Sequence, residues 1–139
     1  MNGDAVRFPF TAANDQLGEA GLRPFLPLTF AYQDRTLSAS GLLDTGAMVN
    51  VLPYHLGVAL GARWEQQDQV LHLTGNLAQY EAKVLLVTAV VANFEPVPFA
   101  FAWSQAENVP LILGQVNFFL KFDVCFYRTQ LAFDVRLVA

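Results

Sequence analysis

Apolar residues recur along this chain mainly in alternation with polar ones, the spacing of strands buried on one face. Phe25 to Gln33 (Phe-Leu-Pro-Leu-Thr-Phe-Ala-Tyr-Gln) alternates in part, and Thr36 to Leu43 repeats the trend after a turn at Asp34-Arg35, which predicts a hairpin. Val49 to Leu52 reads as a short strand, and Pro53 to Ala62 as a brief helix with proline at its start and Gly61 at its end. Val70 to Leu73 and Ala78 to Val91 are strand candidates, separated by Thr74-Gly75-Asn76, a polar segment suited to a hairpin tip. Pro96 to Trp103 alternates through Val97, Phe99 and Phe101, with Pro98 marking an edge or a bulge. Beyond a polar loop at Ser104 to Asn108, Leu111 to Leu113 is a buried strand leading through Gly114 into a helix over Gln115 to Phe122. Strands at Asp123 to Tyr127 and Gln130 to Val135 close the chain. Residues 1–24 show no period around Phe8-Pro9-Phe10 and form an extended arm with room for one edge strand, so a single domain is expected over 25–139. The fold class is mainly antiparallel β, with one helix near the C-terminus and another short one.

Composition narrows the function. Hydrophobic residues make up 54% of the 139 positions and charged ones 14%, with 12 Phe, which fits a β-rich globular domain with some apolar surface left for an interface. The formal net charge is −4 and the 8 basic residues are scattered singly, so neither nucleic acid nor an anionic membrane is expected as a partner. The one cysteine, Cys125, sits among apolar neighbours and is expected to be a small buried hydrophobe. No basic start followed by an apolar core marks a signal peptide, and the most apolar run, Val84 to Ala92, is too short to span a bilayer. Cytoplasmic location follows as the default.

One carboxylate stands out. In Gly41-Leu-Leu-Asp-Thr-Gly-Ala-Met-Val-Asn-Val-Leu-Pro53, Asp44 ends an apolar run and is followed by a Thr45-Gly46 turn and a second apolar segment. A carboxylate leaving water loses several kcal/mol of hydration unless hydrogen bonds or a shared proton compensate. Gly46 permits a sharp turn and Thr45 adds a hydroxyl, which together cradle a reactive acid. Asp-x-Gly is also common in ordinary turns, so the tripeptide alone is a weak signal. Other chemistry has less support. His55 and His72 lie far apart without metal-ligand spacing, no phosphate loop or nucleophile elbow occurs, and neither a metal nor a cofactor is expected. Asp123 and Asp134 suit exposed strand or turn positions, and Trp64 and Trp103 suit either a peptide groove or the core.

Leu42-Leu43-Asp44-Thr45-Gly46-Ala47, Val51-Leu52-Pro53 and the late Leu111-Ile112-Leu113-Gly114 together resemble the retropepsin-like aspartic proteases, the single-lobed family that includes retroviral proteases. The resemblance spans about residues 25 to 135 in order and spacing. It implies a closed acid-protease β-barrel with one short C-terminal helix, and a homodimer in which two Asp44 residues pair across a two-fold axis. Thr45 would tie the two loops together and Gly46 would offer its carbonyl to an extended peptide. Ala47, Met48, Val49 and Leu111 would line pockets, under a flap at Thr74, Gly75 and Asn76. The sequence departs from retroviral enzymes where Met48 and Gln115 replace an Asp and an Arg that pair in that group. The competing reading is a non-catalytic dimer of the same fold that binds peptides or scaffolds a partner.

Overall fold

A computed structural model describes residues 4–12, 18 and 20–138. Residues 1–3, 13–17 and 19 of the expected N-terminal arm lie outside the described residues. The hydrophobic alternation becomes a barrel. β4 (Phe25–Tyr32) buries Leu26, Leu28 and Phe30 on one face and pairs with β5 (Arg35–Leu43) from Phe25↔Leu42 to Tyr32↔Arg35. The hairpin loop is therefore Gln33-Asp34, one residue earlier than the sequence suggests, and Gln33 takes a left-handed φ of 54° there. β8 (Ala82–Val90) and β9 (Val97–Ser104) form the second hairpin, with Val97, Phe99, Phe101 and Trp103 inward. Pro98 faces outward, where β9 has β8 on one flank and no strand on the other among the described residues, so its missing N–H leaves the ladder intact.

Two short strands close the ring. β6 (Val51–Leu52) runs parallel to β9, and β10 (Ile112–Leu113) lies antiparallel to β6 and parallel to β5. The order β4-β5-β10-β6-β9-β8 returns to β4 through Thr29↔Val90, Phe30↔Ala89 and Ala31↔Thr88. β7 (Val70–Leu71) flanks β8.

The termini make a separate three-stranded sheet, β1-β12-β11, from β1 (Val6–Pro9), β11 (Phe122–Tyr127) and β12 (Ala132–Leu137). Asp134, expected at an exposed or turn position, is buried in β12 at 6% exposure. The Arg7 guanidinium compensates: Nε donates to Oδ1 at 2.7 Å and Nη2 to Oδ2 at 3.3 Å. Those bonds hold the Asp134 carboxyl below the usual carboxylate range, against the opposing effect of burial. Asp123 does lie at a half-exposed strand position, with Arg136 at 2.8 Å. Cys125 is half-buried rather than buried, and its hydrogen bond to Tyr127 pushes the phenol up. β2 (Thr11–Ala12) and β3 (Leu22–Arg23) pair as a small ribbon.

Aromatic packing fills the space between sheets. Phe118 and Phe122 stack at 4.9 Å and Phe99 meets both. Trp103 is fully buried, stacks on Tyr54 at 5.6 Å, meets Trp64 edge-on and donates Nε1–H to the Tyr54 carbonyl. Both tryptophans therefore serve packing rather than a groove, with the indole N–H satisfied as burial requires. The α-helix α1 (Tyr54–Ala59) lies against this cluster, and any side chain larger than that of Gly57 would collide with the Trp103 ring. Over Gln115–Phe122 the expected helix is a series of turns up to Lys121, with Phe118 and Phe119 both bonding to the Gly114 carbonyl. Val116, Asn117, Phe118 and Phe119 are weak helix formers, and Asn117 spends its side chain elsewhere.

Candidate active site

Asp44 follows the last residue of β5, where that strand runs beside β10. Leu42 N–H donates to Leu111 O at 2.7 Å, and Asp44 N–H to Leu113 O at 3.0 Å, so the carboxylate's backbone is fixed by the parallel strand. The turn then closes on itself. Gly46 N–H donates to Asp44 Oδ1 at 2.9 Å and Ala47 N–H to Asp44 O at 3.1 Å. The side chain is half-buried with one oxygen held by a backbone donor. Thr45 is exposed, and its hydroxyl takes no hydrogen-bond partner among the described residues.

A second chain segment locks the loop from below. Gln115 N–H donates to Ala47 O at 2.9 Å and Val116 N–H to Met48 O at 2.7 Å. Gln115 Nε2 also reaches Thr45 O at 2.8 Å. These contacts bring two backbones so close that a Cβ on Gly114 would stand 2.5 Å from Val49 O and 2.9 Å from Ala47 O. Only glycine fits there.

Sequence reasoning overlooked the centre of this lock, Asn50. It is fully buried, accepts Gly114 N–H on Oδ1 at 2.8 Å, and directs Nδ2 toward Ala100 O at 3.5 Å. Its own N–H donates to Asn117 Oδ1 at 2.9 Å and its carbonyl accepts Ala102 N–H. A lone amide between Val49 and Val51, in a run otherwise suited to burial, was the available signal.

Between this loop and the segment after β7 lies a cleft of about 330 Å³. Gly46, Ala47, Met48, Val49, Val51 and Ile112 form one wall, and His72, Leu73, Thr74 and Leu77 the other. The structure thus brings Thr74 opposite Ala47 and Met48, with Gly75 at φ +67° opening a 3₁₀ turn over Gly75–Leu77. The hairpin strands are shorter than expected, and Ala78 to Tyr80 form a turn and bend instead of extending β8. Proline, whose φ is near −65°, is incompatible with position 75, so its substitution there would rebuild the tip rather than stiffen a hinge. Leu111 points into the core instead of the cleft, and Ile112 takes its place. Clefts of 450 and 490 Å³ open elsewhere, where β1 or its approach meets the barrel, but neither borders the glycine turn that holds Asp44, as the smaller cleft does through Gly46. Chemistry, not volume, singles out the smaller one.

Among the described residues, no group of three or more His, Cys, Asp or Glu is placed to hold a metal ion, and no helix is long and apolar enough to cross a membrane. In the loop Met48 is 68% exposed, and Val116, whose N–H holds the Met48 carbonyl, is exposed as well.

No protein-family model and no curated protein matches the sequence. Solved structures do match in shape. A retropepsin-like aspartic protease from Rickettsia conorii superposes with a TM-score of 0.59 at 12% identity, over 97% of this chain and 94% of that one. With its closed barrel, its β5–β10 pairing and the turn at Asp44, the chain has the retropepsin-like fold.

Proposed function

We propose that the protein is a homodimeric aspartic endopeptidase that hydrolyses extended apolar peptide segments with water activated by paired Asp44 carboxylates. The observation that carries this reading is the Asp44 turn: a half-buried carboxylate, oriented by Gly46 N–H at 2.9 Å, beside exposed Met48 and the exposed Val116 bonded to it. One chain supplies one such turn. Two carboxylates a few Å apart cannot both ionise cheaply, so a pair shares one proton. The ionised Asp44 takes a proton from water as it attacks the scissile carbonyl, while the protonated Asp44 gives its proton to the carbonyl oxygen. Collapse of that intermediate, with a proton passed to the amide nitrogen, breaks the C–N bond. A two-fold axis beside the turn supplies the second Asp44 and lets the unpartnered Thr45 hydroxyls bond across it. The peptide lies extended between loop and flap, its N–H groups meeting the Gly46 carbonyl and its side chains entering the clefts.

The test combines light scattering at micromolar concentration with cleavage of a peptide library between mildly acid and neutral pH. A dimer whose rate rises and then falls with pH, and whose Asp44→Asn variant stays dimeric but inert, is expected. A monomer, or cleavage surviving in Asp44→Asn, overturns the reading. A stable wild-type dimer that binds peptides and cleaves none would instead favour the scaffold.

A further inference from the structure

The two histidines differ in their surroundings. His55 lies beside Glu107, with Nδ1 3.7 Å from its carboxylate and its backbone N–H donating to the same group at 3.0 Å. His72 is exposed and has no hydrogen-bond or ion-pair partner among the described residues. It also forms part of the cleft wall facing Met48 and Ile112, and among the residues lining that cleft it alone has an ionisable side chain.

We propose that His72 is a specificity-determining residue that selects peptides carrying a Glu or Asp next to the apolar side chain seated in the cleft. This inference rests on the reading of the cleft as a peptide groove. Met48, Val51, Leu73, Leu77 and Ile112 can take an apolar side chain but offer an adjacent carboxylate nothing. A carboxylate brought near the acidic Asp44 turn, on a chain of net charge −4, is disfavoured unless a donor meets it. The imidazole is that donor: its N–H bonds a carboxylate when neutral, and the bond becomes charge-assisted when the ring is protonated. The exposed Thr74 hydroxyl on the same wall can bond a carboxylate or a carboxamide equally well and so cannot discriminate. Position 72 directly follows β7, which is paired to β8, so the ring starts from an anchored backbone.

The experiment compares decapeptides with a Leu-Phe centre that differ only by Glu or Gln at each flanking position. Affinity is measured by fluorescence anisotropy on full-length Asp44→Asn, which cannot turn the peptide over, and kcat/KM on the wild type. At one position Glu should be preferred over Gln by about three- to fivefold, the size expected for one exposed charge contact. The preference should vanish in His72→Ala, the Glu and Gln peptides then binding equally, and persist in His55→Ala. Equal binding of the Glu and Gln peptides, binding of neither, or a Glu preference surviving in His72→Ala overturns the proposal. Cleavage of the Gln peptide by the wild type reports separately on the dyad, so failure of catalysis and failure of this selectivity are read apart.

Discussion

Replacing Asn50 by alanine removes the acceptor that satisfies Gly114 N–H in a fully buried site. An orphaned buried N–H costs about 1–3 kcal/mol, and the space left by the carboxamide adds about 1 kcal/mol. The Nδ2 contact to Ala100 O, at 3.5 Å, lies at the limit of hydrogen bonding and contributes little. The expected loss is therefore about 2–4 kcal/mol, a large share of the roughly 5–15 kcal/mol that stabilises an ordinary domain. Urea unfolding followed by Trp fluorescence measures it, because Trp103 is buried and exposed only on unfolding; protomer concentration must be held constant. Asn50→Leu separates hydrogen bonding from packing, since it restores volume but not the acceptor. Both variants should lose stability, and both should lose peptide cleavage by more than the unfolded fraction explains, because Gly114 carries the segment that holds Ala47 and Met48. Wild-type stability in Asn50→Leu, or a loss below about 0.5 kcal/mol in Asn50→Ala, would refute the assignment of Asn50 as the lock.

Gly114→Ala should destabilise by at least about 1–3 kcal/mol, because its Cβ meets backbone atoms of Val49 and Ala47 that cannot swing aside; a denaturation midpoint equal to wild type would show that the loops can separate. Arg7 holds the Asp134 carboxyl below its ordinary range, so the pair's contribution is present above the unfolded carboxylate value, about pH 4, and is lost as pH falls through the lower folded value. The melting temperature of Arg7→Gln should accordingly lie below wild type at neutral pH and converge on it as the pH falls through the lower folded value, and a gap that widens on acidification would contradict the pairing.

How much of this was legible depends on the range over which each residue acts. β4, β5, β8 and β9 could be read because Leu26, Leu28, Phe30 and Val97, Phe99, Phe101 alternate against a single core, a local pattern with a long-range cause. The Asp44 turn could be read because its hydrogen bonds run between neighbours, Gly46 to Asp44 and Ala47 to Asp44. Asn50 could not, since its value comes from Gly114 and Asn117, both more than sixty positions away. Asp134 looked like a surface acid for the same reason: the cation that allows its burial is Arg7, 127 residues earlier. His72 lacked metal-ligand spacing, and only the placement of β7 beside β8 brings it opposite Met48. The segment after Gly114 misled in the other direction, because its apolar spacing suggested a helix whose hydrogen bonding is diverted by the double bond to Gly114 O and by Asn117 turning toward Asn50.

The replacement of a charged pair by Met48 and Gln115 changes how the loop is supported without leaving it unsupported. Gln115 still reaches across, but its partner is the Thr45 carbonyl at 2.8 Å, a neutral bond that survives changes in pH and is little screened by salt. Met48 is left with a side chain 68% exposed on the cleft wall. An exposed ion pair contributes about 0–1 kcal/mol, whereas burying a methionine side chain contributes about 1.5–3 kcal/mol. In the proposed peptide groove the exchange therefore moves stabilisation from charge pairing within one loop to apolar contact with a bound peptide. The exchange takes neither the carboxylate nor the glycine away from the Asp44 turn, and the Gly46 N–H still donates to Asp44 Oδ1 at 2.9 Å.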